Sequence, residues 1–167
     1  DSTKDKDFLF FEKLDNKRVI IVKTKYHSQI TSSIVFNFIN NMEKGDKVKV
    51  GEFQKQLGII DAPGCFELPL ITKKILETYS PKLILVVGCI IKGDTKHDEY
   101  LASTVINGIR NLSLQYNTPI INGILTTDNE QQAIDRAGKK YQKGMEFAES
   151  VKEMINIFDK FDKNEFS

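Results

Sequence analysis

Four short runs of uninterrupted apolar residues, each followed by a stretch with helical spacing, constrain this chain more than any other feature. The runs are Arg18-Val-Ile-Ile-Val-Lys23, Leu57-Gly-Ile-Ile60, Leu83-Ile-Leu-Val-Val87 and Pro119-Ile-Ile-Asn-Gly-Ile-Leu125. A strand with one face in water alternates apolar and polar residues, whereas a run without alternation has to bury both faces. From Ser28 to about Glu43 the residues Ile30, Ile34, Val35, Phe38, Ile39 and Met42 recur at three- and four-residue steps, which predicts an amphipathic helix capped by Ser28 and ended by Gly45. Helical spacing returns at Phe66, Leu70, Ile71, Lys74 and Ile75 and stops before Ser80-Pro81. A third helix is expected over roughly Glu99 to Tyr116. A last helical region, capped by Thr126-Thr-Asp128 and broken at Gly138 and Gly144, runs to about Phe158. Strand and helix alternating in this way predict an α/β fold, a four-stranded parallel sheet with helices on both faces in three layers.

Composition narrows what such a domain can do. At 167 residues, 40% of them hydrophobic, the chain is large enough for one well-buried core and small enough that a single domain is expected. Its 24 basic and 23 acidic residues leave a net charge of +1, too little field to steer it to nucleic acid or to an anionic membrane. No apolar run approaches the roughly 20 residues that cross a bilayer, and Asp1–Asp7 lacks the apolar segment of a secretory signal. A cytoplasmic location follows as the expectation, with a plastid or other organelle as the alternative if a leader has been removed. Cys65 and Cys89, 24 residues apart, suit neither a disulfide framework nor a zinc site. The only arginines are Arg18, Arg110 and Arg136, so bidentate recognition of an anion has few candidates. The aromatic cluster Phe8–Phe11 is too apolar to leave in water and reads as a docking edge strand.

In an open parallel sheet, ligands bind beyond the carboxyl ends of the strands, and the unusual residues of this chain collect in those segments. After the third strand, Gly93-Asp-Thr95 precedes His97 and a helix start, an arrangement of backbone donors, hydroxyl and helix terminus that suits a phosphate as well as it suits an ordinary turn. His97 can pass protons near neutral pH or simply be solvated. The sequence His97-Asp98-Glu99 does not make a metal site, because neighbouring residues at a helix start point in different directions and no second ligand cluster exists. After the second strand, Pro63-Gly-Cys-Phe-Glu67 sets an aromatic and a carboxylate at a helix entrance; Glu67 either caps that helix or accepts hydrogen bonds from a polyol or amine. Arg136 is either a surface residue or an oxyanion clamp.

Four pieces in order, Pro63-Gly-Cys-Phe-Glu-Leu-Pro69, Gly88-Cys-Ile-Ile-Lys-Gly-Asp-Thr-Lys-His97, Gly123-Ile-Leu-Thr-Thr-Asp128 with Glu130 to Gly138, and Lys143-Gly144, resemble the lumazine synthase family. The resemblance spans about Arg18 to Ile157. It implies a flavodoxin-like domain that condenses 5-amino-6-(D-ribitylamino)uracil with 3,4-dihydroxy-2-butanone 4-phosphate, releasing phosphate and water, in riboflavin biosynthesis. It further implies a homopentamer, in some members stacked into a sixty-subunit shell, with active sites between subunits and neither metal nor cofactor. Residues 1–17 would then be an arm packing on a neighbour, and 18–167 the domain itself.

Carried over by position, the resemblance makes His97 the proton-transfer residue. Gly93, Asp94, Thr95 and Arg136 would hold the butanone phosphate. Tyr26, Cys65, Phe66, Glu67, Cys89, Ile90, Ile91, Asn122 and Lys143 would hold the ribitylaminouracil. The chain departs from the family pattern at Asn122, where a large apolar residue such as Phe is usual, at His27 in place of Asn, and at Asp98 in place of an apolar residue. It also lacks one residue between Arg136 and Lys143. These changes make the pocket more polar, and they motivate an alternative reading as a catalytically weak or inactive homologue kept as a ligand-binding or structural shell. A generic flavin or nucleotide binder of the same fold lacks a strongly glycine-rich loop to support it.

Overall fold

The four apolar runs form one sheet in a computed structural model that describes residues 13–44, 51–93 and 96–167. The Phe8–Phe11 strand, the stop at Gly45, and Asp94 and Thr95 lie outside the described residues. Strands β1 (Val19–Thr24), β2 (Leu57–Ala62), β3 (Leu83–Ile91) and β4 (Ile120–Thr127) are all parallel and lie side by side in the order β2-β1-β3-β4. Alternate residues feed two separate cores: Val19, Ile21, Leu83, Leu85 and Val87 face one side, and Ile20, Val22, Ile84 and Val86 face the other. That double burial is why the runs contain no polar alternation.

One face is covered by α1 (Ser28–Met42), the one-turn α2 (Glu52–Lys55), α5 (Glu130–Ala137) and α6 (Lys143–Asp162), the other by α3 (Leu68–Thr78) and α4 (His97–Tyr116). The chain therefore leaves β1 through α1 toward β2 on one side, then crosses back through α3 to β3 on the other. The reversal makes a topological switch point beyond the carboxyl ends of β1 and β3, the place where open α/β sheets take their ligands.

Several boundaries differ from the sequence reading. The cap of α1 is His27, held in the left-handed region at φ 57° and joined to the helix through its backbone carbonyl, which accepts from Ile30 N and Thr31 N; no side chain caps it. Asn129, rather than Thr126 to Asp128, caps α5: its side chain accepts from Gln132 N at 2.9 Å. Gly138 ends α5 as expected, but Gly144 lies inside the first turn of α6 and breaks nothing. A Cβ on Gly144 would sit 2.5 Å from the Ile34 carbonyl oxygen and 2.8 Å from Phe38 N. The glycine is there to let α6 press its backbone against α1. Finally, β3 runs on through Gly88-Cys-Ile-Ile91 instead of ending at Val87, because β4 pairs with it as far as Thr127.

Candidate active site at the carboxyl end of the sheet

The extension of β3 shapes the site. The ladder between β1 and β3 stops at Lys23 and Val87, while β3 continues four residues further with β4 alone. The backbone edge of Gly88 to Ile91 that faces β1 is thereby left for other partners, and one of these is the Cys65 thiol, 3.9 Å from the Cys89 carbonyl oxygen. Cys65 belongs to a 3-10 turn, Cys65–Glu67, at the mouth of α3, and it fits over Gly88, where a Cβ would lie only 2.7 Å from its Sγ.

On the other flank, the β1–β2 ladder carries on beyond the strands: Lys25 N donates to Ala62 O at 2.8 Å and Tyr26 N to Pro63 O at 3.2 Å. The Thr24 hydroxyl donates to Tyr26 O, and the buried Thr31 hydroxyl of α1 donates to Thr24 O. These bonds tie the segment after β1 to the segment after β2 and hold up two large side chains into solvent, Tyr26 at 68% and Phe66 at 70% exposure. Glu67 is exposed and makes no cap bond to its helix, so the capping role is not the one it plays. Tyr26, Phe66, Glu67 and Cys65 thus lie on the segments that follow β1 and β2, beside the β3 edge at Cys89 to Ile91, and present exposed aromatic rings and a carboxylate at the carboxyl end of the sheet.

Of the three β3 residues, Cys89 and Ile90 send their side chains to opposite cores and are buried, and Ile91 is half-buried. What they can offer a ligand is mainly backbone. Burial pushes both thiols up to about 11; at Cys65 the Cys89 carbonyl works against this and the Glu67 charge adds to it, and at Cys89 the neighbouring Cys65 adds to it. Neutral at physiological pH, they are packing groups and not nucleophiles. They cannot pair with each other, because successive strand positions put Cys65 over Gly88 on one face and Cys89 on the other.

A second group gathers where β3 and β4 end. Lys92 N donates to Thr127 O at 2.7 Å, and the Lys92 ammonium is 3.5 Å from Asp128. His97 is the first residue of α4 and is exposed. Arg136, half-buried in the last turn of α5, donates from Nη1 to Thr126 O at 3.0 Å and forms no ion pair with a described carboxylate. Gly93 N donates to Asp98 Oδ2 at 2.6 Å, a contact that sequence reasoning missed, since nothing in the residue order says that a helix side chain reaches back over the loop.

Asn122 and Lys143 join neither group within the chain. Asn122 is exposed on the edge strand, its Oδ1 accepting from Ile124 N at 3.0 Å, and Lys143 pairs with Glu146 at 2.6 Å. Among the described residues there is no cluster of His, Cys, Asp and Glu able to hold a metal, and no helix is long and apolar enough to cross a membrane.

Comparison with known proteins identifies the family of the chain. The family model of 6,7-dimethyl-8-ribityllumazine synthase matches residues 16–159. This chain belongs to that family. A curated 6,7-dimethyl-8-ribityllumazine synthase from Leuconostoc mesenteroides subsp. mesenteroides is 36% identical over 145 residues, covering 86% of this chain and 90% of that protein. Membership brings with it the flavodoxin-like α/β fold seen here and, at the level of the family, an enzyme of riboflavin biosynthesis that acts on small molecules and oligomerises. All the lumazine synthase positions picked from the sequence, from Tyr26 to Lys143, fall within the matched span.

Proposed function

We propose that the protein is an active lumazine synthase: it condenses 5-amino-6-(D-ribitylamino)uracil with 3,4-dihydroxy-2-butanone 4-phosphate to 6,7-dimethyl-8-ribityllumazine, releasing phosphate and water. The observation that carries the reading is the family match over residues 16–159, supported by the exposure of Tyr26, Phe66 and Glu67 at the carboxyl end of the sheet. In this reading the uracil lies along the backbone of Cys89 to Ile91 between the Tyr26 and Phe66 rings. Glu67 accepts hydrogen bonds from the ribityl hydroxyls. Gly93, Asp94, Thr95 and Arg136 hold the phosphate.

The chemistry asks little of covalent catalysis. An amine attacks a ketone, water leaves as the imine forms, phosphate is eliminated, and the second amine closes the ring with loss of water. Holding two substrates in register supplies most of the acceleration. His97 moves protons between the attacking nitrogens and the departing oxygens, which is worth roughly 10²-fold or more.

The site is built between subunits. Asn122, Lys143 and Arg136 have no bond to the Tyr26 and Phe66 segments of their own chain, which supports their serving a neighbour's. The two aromatic side chains left in solvent are then covered on assembly. The assembly is a pentamer, open to stacking into a sixty-subunit shell, with residues 1–17 packing as an arm on the adjoining subunit.

Incubating the purified protein with both substrates tests the proposal: lumazine fluorescence should appear faster than in the uncatalysed condensation, and equal rates refute it. His97→Ala should slow turnover without abolishing it, and Arg136→Ala should raise KM for the phosphate substrate. The second reading, an inactive shell, is favoured by Asn122, whose carboxamide is committed to Ile124 N instead of offering an apolar wall. It predicts a normal oligomer with no rate enhancement.

A further inference from the structure

We propose that His27 is a positioning residue for Tyr26: its imidazole holds the tyrosine ring in one orientation ahead of ligand binding, and the affinity of the site for a flat heterocycle depends on the pair. The inference rests on the lumazine synthase reading for the identity of that heterocycle, the ribitylaminouracil, and on the geometry of this chain for the rest. The two rings lie with centroids 4.2 Å apart and planes inclined by 54°. Consecutive residues in an extended strand send their side chains to opposite sides, so such a contact needs a break in the backbone just there. His27 supplies it by adopting the left-handed conformation, φ 57° and ψ 44°, as the chain turns from β1 into α1.

The backbone around the tyrosine is tied down on both sides. Tyr26 N donates to Pro63 O at 3.2 Å, and Tyr26 O accepts from the Thr24 hydroxyl at 2.9 Å. His27 O accepts from Ile30 N at 3.0 Å and from Thr31 N at 3.1 Å. Tyr26 itself is 68% exposed, and among the described residues His27 is its only ring partner. An exposed aromatic on a rigid backbone still turns among its rotamers on the ps–ns scale, and a ligand that stacks on it has to stop that motion, which lowers affinity. The half-buried imidazole packed against the ring removes the motion in advance. Asparagine, the residue usual at this position in the family, accepts the left-handed backbone readily but has no ring to pack; histidine adds the support.

Two substitutions separate the ring from the backbone. His27→Asn keeps a residue suited to the left-handed turn and removes the ring; His27→Phe keeps a ring. In the native assembly, His27→Asn should raise KM for the ribitylaminouracil about two- to tenfold, the span of one aromatic pair, with kcat and KM for the butanone phosphate unchanged. His27→Phe should stay near wild type in all three. In a Tyr26→Ala background, His27→Asn should change nothing further, because the imidazole acts through the tyrosine. A measurement without ligand is open because the chain has no tryptophan: the single indole introduced by Tyr26→Trp reports ring motion at that position. Adding His27→Asn should lower its fluorescence anisotropy, and adding His27→Phe should preserve it.

A KM for the ribitylaminouracil that is unchanged or lower in His27→Asn overturns the inference. So does an equal rise in the Tyr26→Ala background, which would mean that residue 27 meets the ligand directly or only shapes the turn, and so does a fall in kcat with KM unchanged. Should none of the proteins make lumazine while the anisotropy still falls in His27→Asn and holds in His27→Phe, the enzymatic reading fails and the holding of the Tyr26 ring by His27 stands. An active enzyme whose indole anisotropy is the same with and without the imidazole leaves that reading intact and refutes the inference.

Discussion

Replacing Gly144 by Ala should destabilise the protein, although the same exchange in most helices does the opposite. Alanine is the better helix former by about 1 kcal/mol, and Gly144 occupies the first turn of the twenty-residue α6. The added methyl, however, would stand 2.5 Å from the Ile34 carbonyl oxygen, 2.8 Å from the Asn37 Cβ and 2.8 Å from Phe38 N. Two of these three atoms are backbone in the middle of α1, and no rotamer change moves them. Restoring an ordinary contact distance means pushing α6 off α1 by about 1 Å, which loosens the packing of Ile34, Phe38, Ala148 and Val151, all fully or nearly fully buried.

Overpacking of this kind costs roughly 1–3 kcal/mol. With three atoms approached at once the upper part of that range applies, so after the propensity gain of about 1 kcal/mol the net loss is about 1–2 kcal/mol, or roughly 2–8 °C in Tm for a domain of this size. Ser150→Ala, on the exposed face of the same helix, is the control and should gain a few tenths of a kcal/mol. Chemical and thermal denaturation of both variants checks the argument. Gly144→Ala as stable as wild type, or more so, would mean that the contact between α1 and α6 yields freely and that the reasoning from close backbone approach is wrong.

Three further outcomes are expected. Because burial holds the Cys65 and Cys89 thiols at about 11, above the 9.0 of a free thiol, the stabilisation from keeping them protonated is complete below pH 9. It should be lost as pH rises toward 11, by about 1.4 kcal/mol per pH unit per thiol; denaturation midpoints across pH 8–11 test this, and Cys65→Ser/Cys89→Ser should flatten the fall. Lys23, only 6% exposed and paired with Asp61 at 2.5 Å, can be replaced by Met with a change within about 1 kcal/mol, since the desolvation of the ammonium offsets its Coulomb gain and Asp61 keeps contact with water; a loss above 3 kcal/mol contradicts that balance. Asn129→Ala should cost about 1 kcal/mol in a denaturant titration by removing the α5 cap, with a smaller rise in KM for the phosphate substrate as Arg136 at the other end of that short helix loosens.

Most of the fold was legible in the order of residues, because a strand buried on both faces leaves an unmistakable run of apolar side chains and a helix leaves a 3.6-residue rhythm. The elements whose ends are set by neighbours were not. Nothing in Gly88-Cys-Ile-Ile91 states that β4 will pair with it four residues past the end of the β1 ladder, and nothing near Ser28 states that His27 will adopt a left-handed cap. Gly144 looked like punctuation, since a glycine required by contact and a glycine that ends a helix are the same letter. For the candidate site, the segments that carry Glu67, His97 and Arg136 were readable, since each follows the end of a strand.

Sequence alone thus determined the class of fold and the family, because these depend on periodicity and on short motifs that lie within one element and the turn after it. Tertiary structure alone decided which groups are available to a ligand. It sent the Cys89 side chain into the core and set the Cys65 thiol against its carbonyl, turned Tyr26 and Phe66 outward, committed Asn122 to Ile124, and laid the Asp98 carboxylate on Gly93 N. Those outcomes depend on what stands across a strand or a helix turn in space, and such neighbours are fixed only when the whole chain has packed.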